Sequence, residues 1–276
     1  MKVRLILLVT VALMVMAVGR PDIPFHDQPM KPFGEDGGVT AVPGPRTLPD
    51  LVFYWRADTL TLNDADALAG DGDMVKTLPN IMGGNLNFAQ GTGSNQGALV
   101  TGAPDGVAVQ TGLDDYYLSQ DGAGSYVYTS KEMTFVIINR PTSYTTTSAS
   151  YNMFFGSANP GFYMSVYSPA TDRQYPLFRN YSGTYTLGAN RVYPNESHWW
   201  AYTMGESDTS RGYIDGVYEM AFGDGEYNQS TAQHSLCKHS ASYAPEYLYA
   251  VMIYNHHLNA TEIARLDKWV EYYYGF

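Results

Sequence analysis

Carboxylates two residues apart on a strand point the same way, and a pair so placed can share acid and base work on a glycosidic bond. The nearest such run is Glu206-Ser-Asp208. Arg211 stands where the third acid of a Glu-x-Asp-x-x-Glu pattern is required, and the segment reads as a loop. No run of strand-borne Arg, His and Tyr of the kind polysaccharide lyases use is recognisable. His256 and His257 are adjacent, and neighbours on an extended chain face opposite sides, so they are poorly arranged to chelate one ion. They read as surface or half-buried histidines beside a helix start. Cys237, flanked by His234, Lys238 and His239, has no defined base or pocket and reads as an inert loop thiol.

Binding chemistry is better represented. Sugars stack their C–H faces on Tyr and Trp while amides and carboxylates bond the hydroxyls, so a site needs both together. Tyr144 through Tyr151 and Asn152, and Asp172, Arg173 and Tyr175 through Tyr181, have that mixture and read as lying between strands. The candidate ligand contacts are therefore Tyr144, Tyr151, Asn152, Asp172, Arg173, Tyr175 and Tyr181. With 24 Tyr in the chain, many must be core or cross-strand partners, and Trp55, Trp199 and Trp200 are expected to be buried. Hard cations need loop carboxylates and carbonyls, which makes Asp121, Asp172 and Asp208, in turn-rich stretches, the candidate metal ligands. A denser run, Asp64, Asp66, Asp71 and Asp73, is broken by Leu68 and gives no Asp-x-Asp-x-Asp loop. Asn180, Asn195, Asn228 and Asn259 each begin an Asn-x-Ser/Thr sequon, relevant only in a glycosylating host.

The elements that must position these groups are mostly strands. Leu51 to Trp55, Met133 to Ile138, Gly161 to Tyr167, His198 to Thr203 and Tyr247 to Tyr254 are short, aromatic or β-branched, and flanked by turn residues. Asp215-Gly216, between two β-prone arms, predicts a tight hairpin, because Asp-Gly supplies the positive φ angles it needs. The last segment changes period. Asn259 and Glu262 form a variant capping box, Leu258 and Ile263 a hydrophobic staple. Ile263, Leu266, Val270 and Tyr273 make one apolar stripe, and Gly275 is placed to end the helix. The expected fold is all-β: a two-sheet antiparallel sandwich over residues 48–276 with one short C-terminal α-helix.

Upstream, Lys2 and Arg4 precede an apolar run from Leu5 to Val18 and the small-residue pattern Ala17-Val18-Gly19. As a helix the run would be about 21 Å long, short for a bilayer core of about 30 Å. Residues 1–19 read as a cleaved signal peptide, with an uncleaved signal-anchor as the competing reading. Residues 20–47 are rich in Pro and Gly and read as a linker or an arm lying on the domain. The charge balance is acidic, 16 Lys and Arg against 27 Asp and Glu, which argues against nucleic acid as a partner. A single cysteine excludes an intramolecular disulfide and a Cys-based zinc site.

Three stretches carry a family resemblance: Leu51 to Asn80 with Trp55-Arg-Ala-Asp58; Trp199 to Gly216 with Tyr213-Ile-Asp-Gly216; and Met252-Ile-Tyr-Asn-His-His-Leu258 running into the helix and Gly275. In this order and spacing the chain resembles laminin-G-like members of the concanavalin A-like lectin and glucanase superfamily. The tandem Trp199-Trp200 departs from it, since the family usually has one Trp there. The resemblance implies two curved sheets in a jelly roll, ligand loops on the concave face or along a rim, and Ca²⁺ at the rim in some relatives. The scaffold hosts lectins, glycosidases, lyases and plain spacers, so it does not set the function. The leading expectation is a secreted or surface-displayed, non-catalytic carbohydrate-binding or adhesion module with a glycan or glycoprotein ligand. Membrane contact would come only through an uncleaved N-terminal segment. The alternatives are a structural display protein (a surface-layer, particle or virion component) attached through the arm, and a polysaccharide hydrolase or lyase.

Overall fold

The structure is a computed structural model that describes residues 42–121, 124–125, 132–144, 151–157, 163–170, 173–179, 185–205, 210–222, 233–239 and 242–276. Residues 1–19, read as a signal peptide, and most of residues 20–47, read as a linker or arm, lie outside these residues. One compact unit spans Val42–Phe276. Its strands begin with β1 (Leu51–Arg56), β2 (Leu62–Asn63), β3 (Val75–Leu78), β4 (Asn87–Ala89), β5 (Ala98–Ala103) and β6 (Gly106–Gln110). Next come β7 (Tyr117–Asp121), β8 (Gly124–Ser125), β9 (Met133–Pro141), β10 (Tyr151–Ser157), β11 (Tyr163–Ala170), β12 (Arg173–Arg179) and β13 (Tyr185–Leu187). Then follow β14 (His198–Met204), β15 (Ser210–Ile214), β16 (Val217–Phe222), β17 (His234–Leu236), β18 (Lys238–His239), β19 (Ser242–Tyr243) and β20 (Glu246–Tyr254). Helix α1 (Ala260–Tyr274) closes the chain.

The described strands form two large antiparallel sheets. The first runs β16-β15-β14-β9-β20-β6-β5, with β1 also paired to β20, and the second runs β13-β12-β11-β10-β17-β7-β4-β3-β2, with β8 on β7. The expected two-sheet sandwich with one C-terminal α-helix is therefore what the chain adopts; the other helical turns among the described residues are short 3-10 segments, Pro45–Thr47 and Gly93–Asn95.

The first sheet is buried on both faces, which explains its unbroken apolar strands. Phe53, Trp55, Phe135, Ile137, Trp200 and Tyr202 pack between the sheets. Tyr54, Val136, Ile138, Trp199 and Ala201 pack on the opposite side, against Ile263, Leu266, Trp269 and Val270 of α1. Thus the tandem Trp is not a register ambiguity: Trp199 faces the helix and Trp200 faces the second sheet. Burial of each large α1 side chain contributes roughly 1.5–3 kcal/mol before the entropy cost of ordering.

Local codes set the ends of the elements. Asn259 Oδ1 accepts from the N–H groups of Thr261 and Glu262, while Glu262 Oε2 accepts from Asn259 N–H, completing the capping box. Gly275 ends α1 with φ +85°. Asp215 and Gly216, at φ +49° and +72°, form the two-residue turn between Ile214 and Val217. In β20 a bulge between Leu248 and Ala250 turns both Tyr249 and Ala250 toward the helix, where the Tyr249 hydroxyl bonds Asp105 Oδ2 at 2.9 Å. The last residues of the stretch read as linker or arm lie on this side. Val42 packs against the helix-facing core, Tyr254 Oη donates to the Pro45 carbonyl at 3.4 Å, and Arg265 donates to Thr47 Oγ1 at 3.1 Å.

Candidate functional site

The second sheet keeps one face away from the core. Met164, Val166 and Phe178 point into the sandwich, so strand alternation turns their neighbours outward. On that outer face Tyr167 stands opposite Tyr175. Tyr163 stands opposite Arg179. Tyr163, Leu177 and Tyr167 make a small cluster separate from both large cores, and the Arg179 guanidinium lies 5.5 Å from the Tyr163 ring centroid.

The connection after β13 completes this face. Val192 is buried in the core and its N–H donates to the Gln174 carbonyl at 3.1 Å, so Arg191 and Tyr193 on either side of it face out. Glu219 holds the same connection: its carboxylate accepts from the N–H groups of Ala189 and Asn190 and from Asn190 Nδ2. Glu219 sits in β16 where the register shifts between Gly212 and Tyr213. Arg191 is exposed, with its guanidinium 6.0 Å from the Tyr175 ring centroid. Tyr193 and Tyr175 beside it raise its pKa, so it carries its positive charge. Among the described residues neither Arg179 nor Arg191 is paired with a carboxylate.

The sequence-derived contacts are divided by this geometry. Tyr175 is on the outer face and half-buried. Tyr151 and Arg173 are placed by their backbone in β10 and β12, as is Asn152, so these residues belong to strands and not to the connections expected for them. Asn152 is fully buried and its amide donates to the Val166 carbonyl. Tyr144 is buried too. Neither side chain is presented to solvent. Asp172, Tyr181 and Asp208 lie outside the described residues, and Asp121 is placed only as the last residue of β7. The described residues hold no group of three or more His, Cys, Asp or Glu arranged to bind a metal.

The acidic run is occupied by its own chain. Asp71 accepts from Thr101 N–H and Oγ1, Asp73 from Gly70 N–H and Asn63 Nδ2, and Asp66 pairs with Lys76 at 2.8 Å. The donors to Asp71 and Asp73 hold both carboxyls below the usual carboxylate range. A shallow depression of about 250 Å³ lies beside this run, lined by Asn63, Asp64, Ala65, Asp73 and Met74. His256 and His257 go separate ways: the first meets Glu262 Oε2 at 3.3 Å and the second Arg211 Nη1 at 3.3 Å.

Sequence reasoning missed a buried polar cluster at one end of the sandwich. Glu246, the first residue of β20, is wholly buried. Asn139 Nδ2 donates to its Oε2, and the Cys237 thiol donates to its Oε1 at 3.0 Å. Trp200 Nε1 donates to Asn139 Oδ1 at 2.9 Å. Burial pushes the Glu246 carboxyl up to about 8 and, with the Glu246 charge, raises the Cys237 thiol well above its usual value. The loop thiol is thus buried beside an acid. An acid opening the strand Glu246-Tyr-Leu-Tyr-Ala-Val-Met-Ile-Tyr254 was the available signal, since charge at a core position needs partners.

The fold is a two-sheet antiparallel sandwich that resembles jelly-roll, lectin-like and carbohydrate-binding-module folds. No protein-family model matches the chain, and no curated protein matches it by sequence. Among solved structures it is similar to domain 4 of AbnA, a GH43 extracellular arabinanase from Geobacillus stearothermophilus, in complex with arabinotriose. That likeness has TM-score 0.51 at 16% identity and covers 79% of this chain and 98% of that one. It is also similar to Trypanosoma rangeli sialidase, with TM-score 0.55, 13% identity, and coverage of 82% of this chain but 33% of the sialidase. A third likeness is the binding domain of Paraclostridial Mosquitocidal Protein 1, with TM-score 0.51, 13% identity, and coverage of 79% and 52%. At these identities the likeness is one of fold, shared by carbohydrate-active enzymes and binding domains.

Proposed function

We propose that the chain is a secreted or surface-displayed, non-catalytic carbohydrate-binding module of the laminin-G-like type, taking a glycan or glycoprotein ligand. The observation that carries this reading is the outer face of the second sheet. There Tyr175 and Tyr193 flank an exposed guanidinium, which combines ring faces for stacking on sugar C–H groups with donors for hydroxyls. The absence of a Glu-x-Asp-x-x-Glu run from the sequence supports binding over hydrolysis. Two of the similar structures are a domain seen with arabinotriose and a domain named for binding, which adds support for a sugar-binding role. Export rests on the N-terminal sequence. A rim Ca²⁺, with Asp121, Asp172 and Asp208 as ligands, belongs to the same proposal. The test is a glycan array probed with the purified domain, with calcium and with a chelator. Binding to a defined set of glycans is expected; binding to none overturns the reading, and unchanged binding in chelator removes the calcium part.

A further inference from the structure

We infer that Arg191, set between Tyr175 and Tyr193, reads the negative group of an acidic sugar, so that the ligand is a glycan bearing carboxylate or sulfate. This rests on the carbohydrate-binding reading and narrows its ligand class.

The argument begins with charge. The chain has a formal net charge of −11, so an exposed arginine has many acids to pair with. Arg56 does so with Asp58 at 3.0 Å and Arg140 with Asp105 at 3.6 Å, while Arg179 does not among the described residues. Arg191 pairs with no acid among the described residues. The nearby Glu219 carboxylate is taken up by three N–H donors from Ala189 and Asn190. A planar guanidinium with unpaired N–H groups matches a carboxylate or sulfate through two parallel hydrogen bonds.

Positioning comes next. The Glu219 contacts and the buried Val192 hold the backbone on both sides of Arg191, and its guanidinium lies 6.0 Å from the Tyr175 ring centroid. Little ordering is then left for binding to supply. Tyr193 is 38% exposed and offers a ring beside the charge.

Exposure limits the site's size. Arg179 is a second cation on the same face, four residues from Tyr175, or about 13 Å along the strand. Leu177 between them is 1% exposed, so Tyr175 and Arg179 are not joined by one exposed strip along β12. The site is one acidic-sugar subsite rather than a track for a long polyanion. Distant acidic residues repel such a ligand weakly, since charges are screened over about 10 Å at 0.1 M salt.

The test measures binding of the full chain by calorimetry to three oligosaccharide sets: uronate-bearing, sulfated, and neutral, the last including the methyl ester of the uronate set. The expected result is binding to one or both acidic sets at least about tenfold tighter than to neutral ones, as for one charge-assisted pair. Which acidic set binds tells carboxylate from sulfate. Methyl esterification and Arg191→Ala should each remove the preference, and Arg191→Lys should restore it only in part because Lys lacks the planar fork. Thermal melts confirm that these surface variants stay folded. Equal binding of esterified and free uronates, or an acidic preference that survives Arg191→Ala, overturns the inference while leaving a glycan-binding module in place. Failure to bind any set or any arrayed glycan overturns both.

Discussion

Replacing Glu246 with Gln isolates the energetic cost of an acid placed inside the sandwich. Glu246 is wholly buried with Cys237 and Asn139 against its two oxygens. Its carboxyl keeps a proton in the folded state to about pH 8, against an ordinary value of 4.5. Between those values the folded chain holds a proton the unfolded chain has lost, so stability falls as pH rises, by about 1.4 kcal/mol per unit. His234 acts in the opposite sense. Its ring stacks on Phe135 and Phe155, and burial holds it neutral down to about pH 3 against an ordinary 6.5. For His234 the unfolded chain binds the extra proton between those values, so stability falls as pH drops.

From 4.5 to 6.5 the two slopes cancel, and above 6.5 the Glu246 slope stands alone. The loss from 6.5 to 8 amounts to about 2 kcal/mol, which for a domain of this size is about 4–8 °C in Tm. Cys237 and Tyr144, which face Glu246, are both raised well above their usual values and do not titrate in this window. The assay is urea unfolding across the window. Wild type should show a plateau between pH 4.5 and 6.5 and a fall toward 8, and Glu246→Gln should abolish that fall because Gln has no proton to lose. Parallel curves for wild type and variant above pH 6.5 would refute the reasoning, since Glu246 would then be charged or neutral in both folded and unfolded states alike.

Three further outcomes follow from the geometry. Asn259→Ala removes the acceptor for Thr261 and Glu262 N–H and should cost about 1 kcal/mol, read as a lower urea midpoint with unchanged m. Gly216→Ala forces a side chain onto φ +72° and sets its Cβ 2.6 Å from the Asp267 carboxyl carbon. It should cost more than about 1 kcal/mol, and a midpoint equal to wild type would contradict the turn geometry. Cys237 should resist a thiol-specific reagent in the native protein and react at a rate set by unfolding, because its thiol is buried and protonated; prompt modification would refute that.

Much of the architecture was legible because its determinants are local. The Asp215-Gly216 turn, the Asn259 cap and the Gly275 terminus depend on backbone conformations and first-turn N–H groups that adjacent residues satisfy by themselves. The apolar stripe of α1 could be read from its period, apart from Trp269, which packs with the stripe residues although it falls off the strict spacing. The burial of Trp55, Trp199 and Trp200 followed from their size. Which face each Trp occupies did not follow, because the first sheet is covered on both sides and either parity would bury a ring.

The candidate site was only half legible for a related reason. Tyr144, Asn152 and Tyr175 look alike in sequence as mixed aromatic and polar positions. Shifting a strand by one residue exchanges its faces, and only the packing of Val166 and Phe178 into the core decides that Asn152 points in and Tyr175 out. Arg191 owes its place to Val192 and Glu219, and Glu246 its proton to Asn139 and Cys237. Of these partners, Glu219 and Asn139 come from far along the chain. The sequence alone set the opening question, which side chains could do chemistry; the fold answered it, turning some of them into core and leaving the exposed Arg191 guanidinium beside Tyr175 and Tyr193.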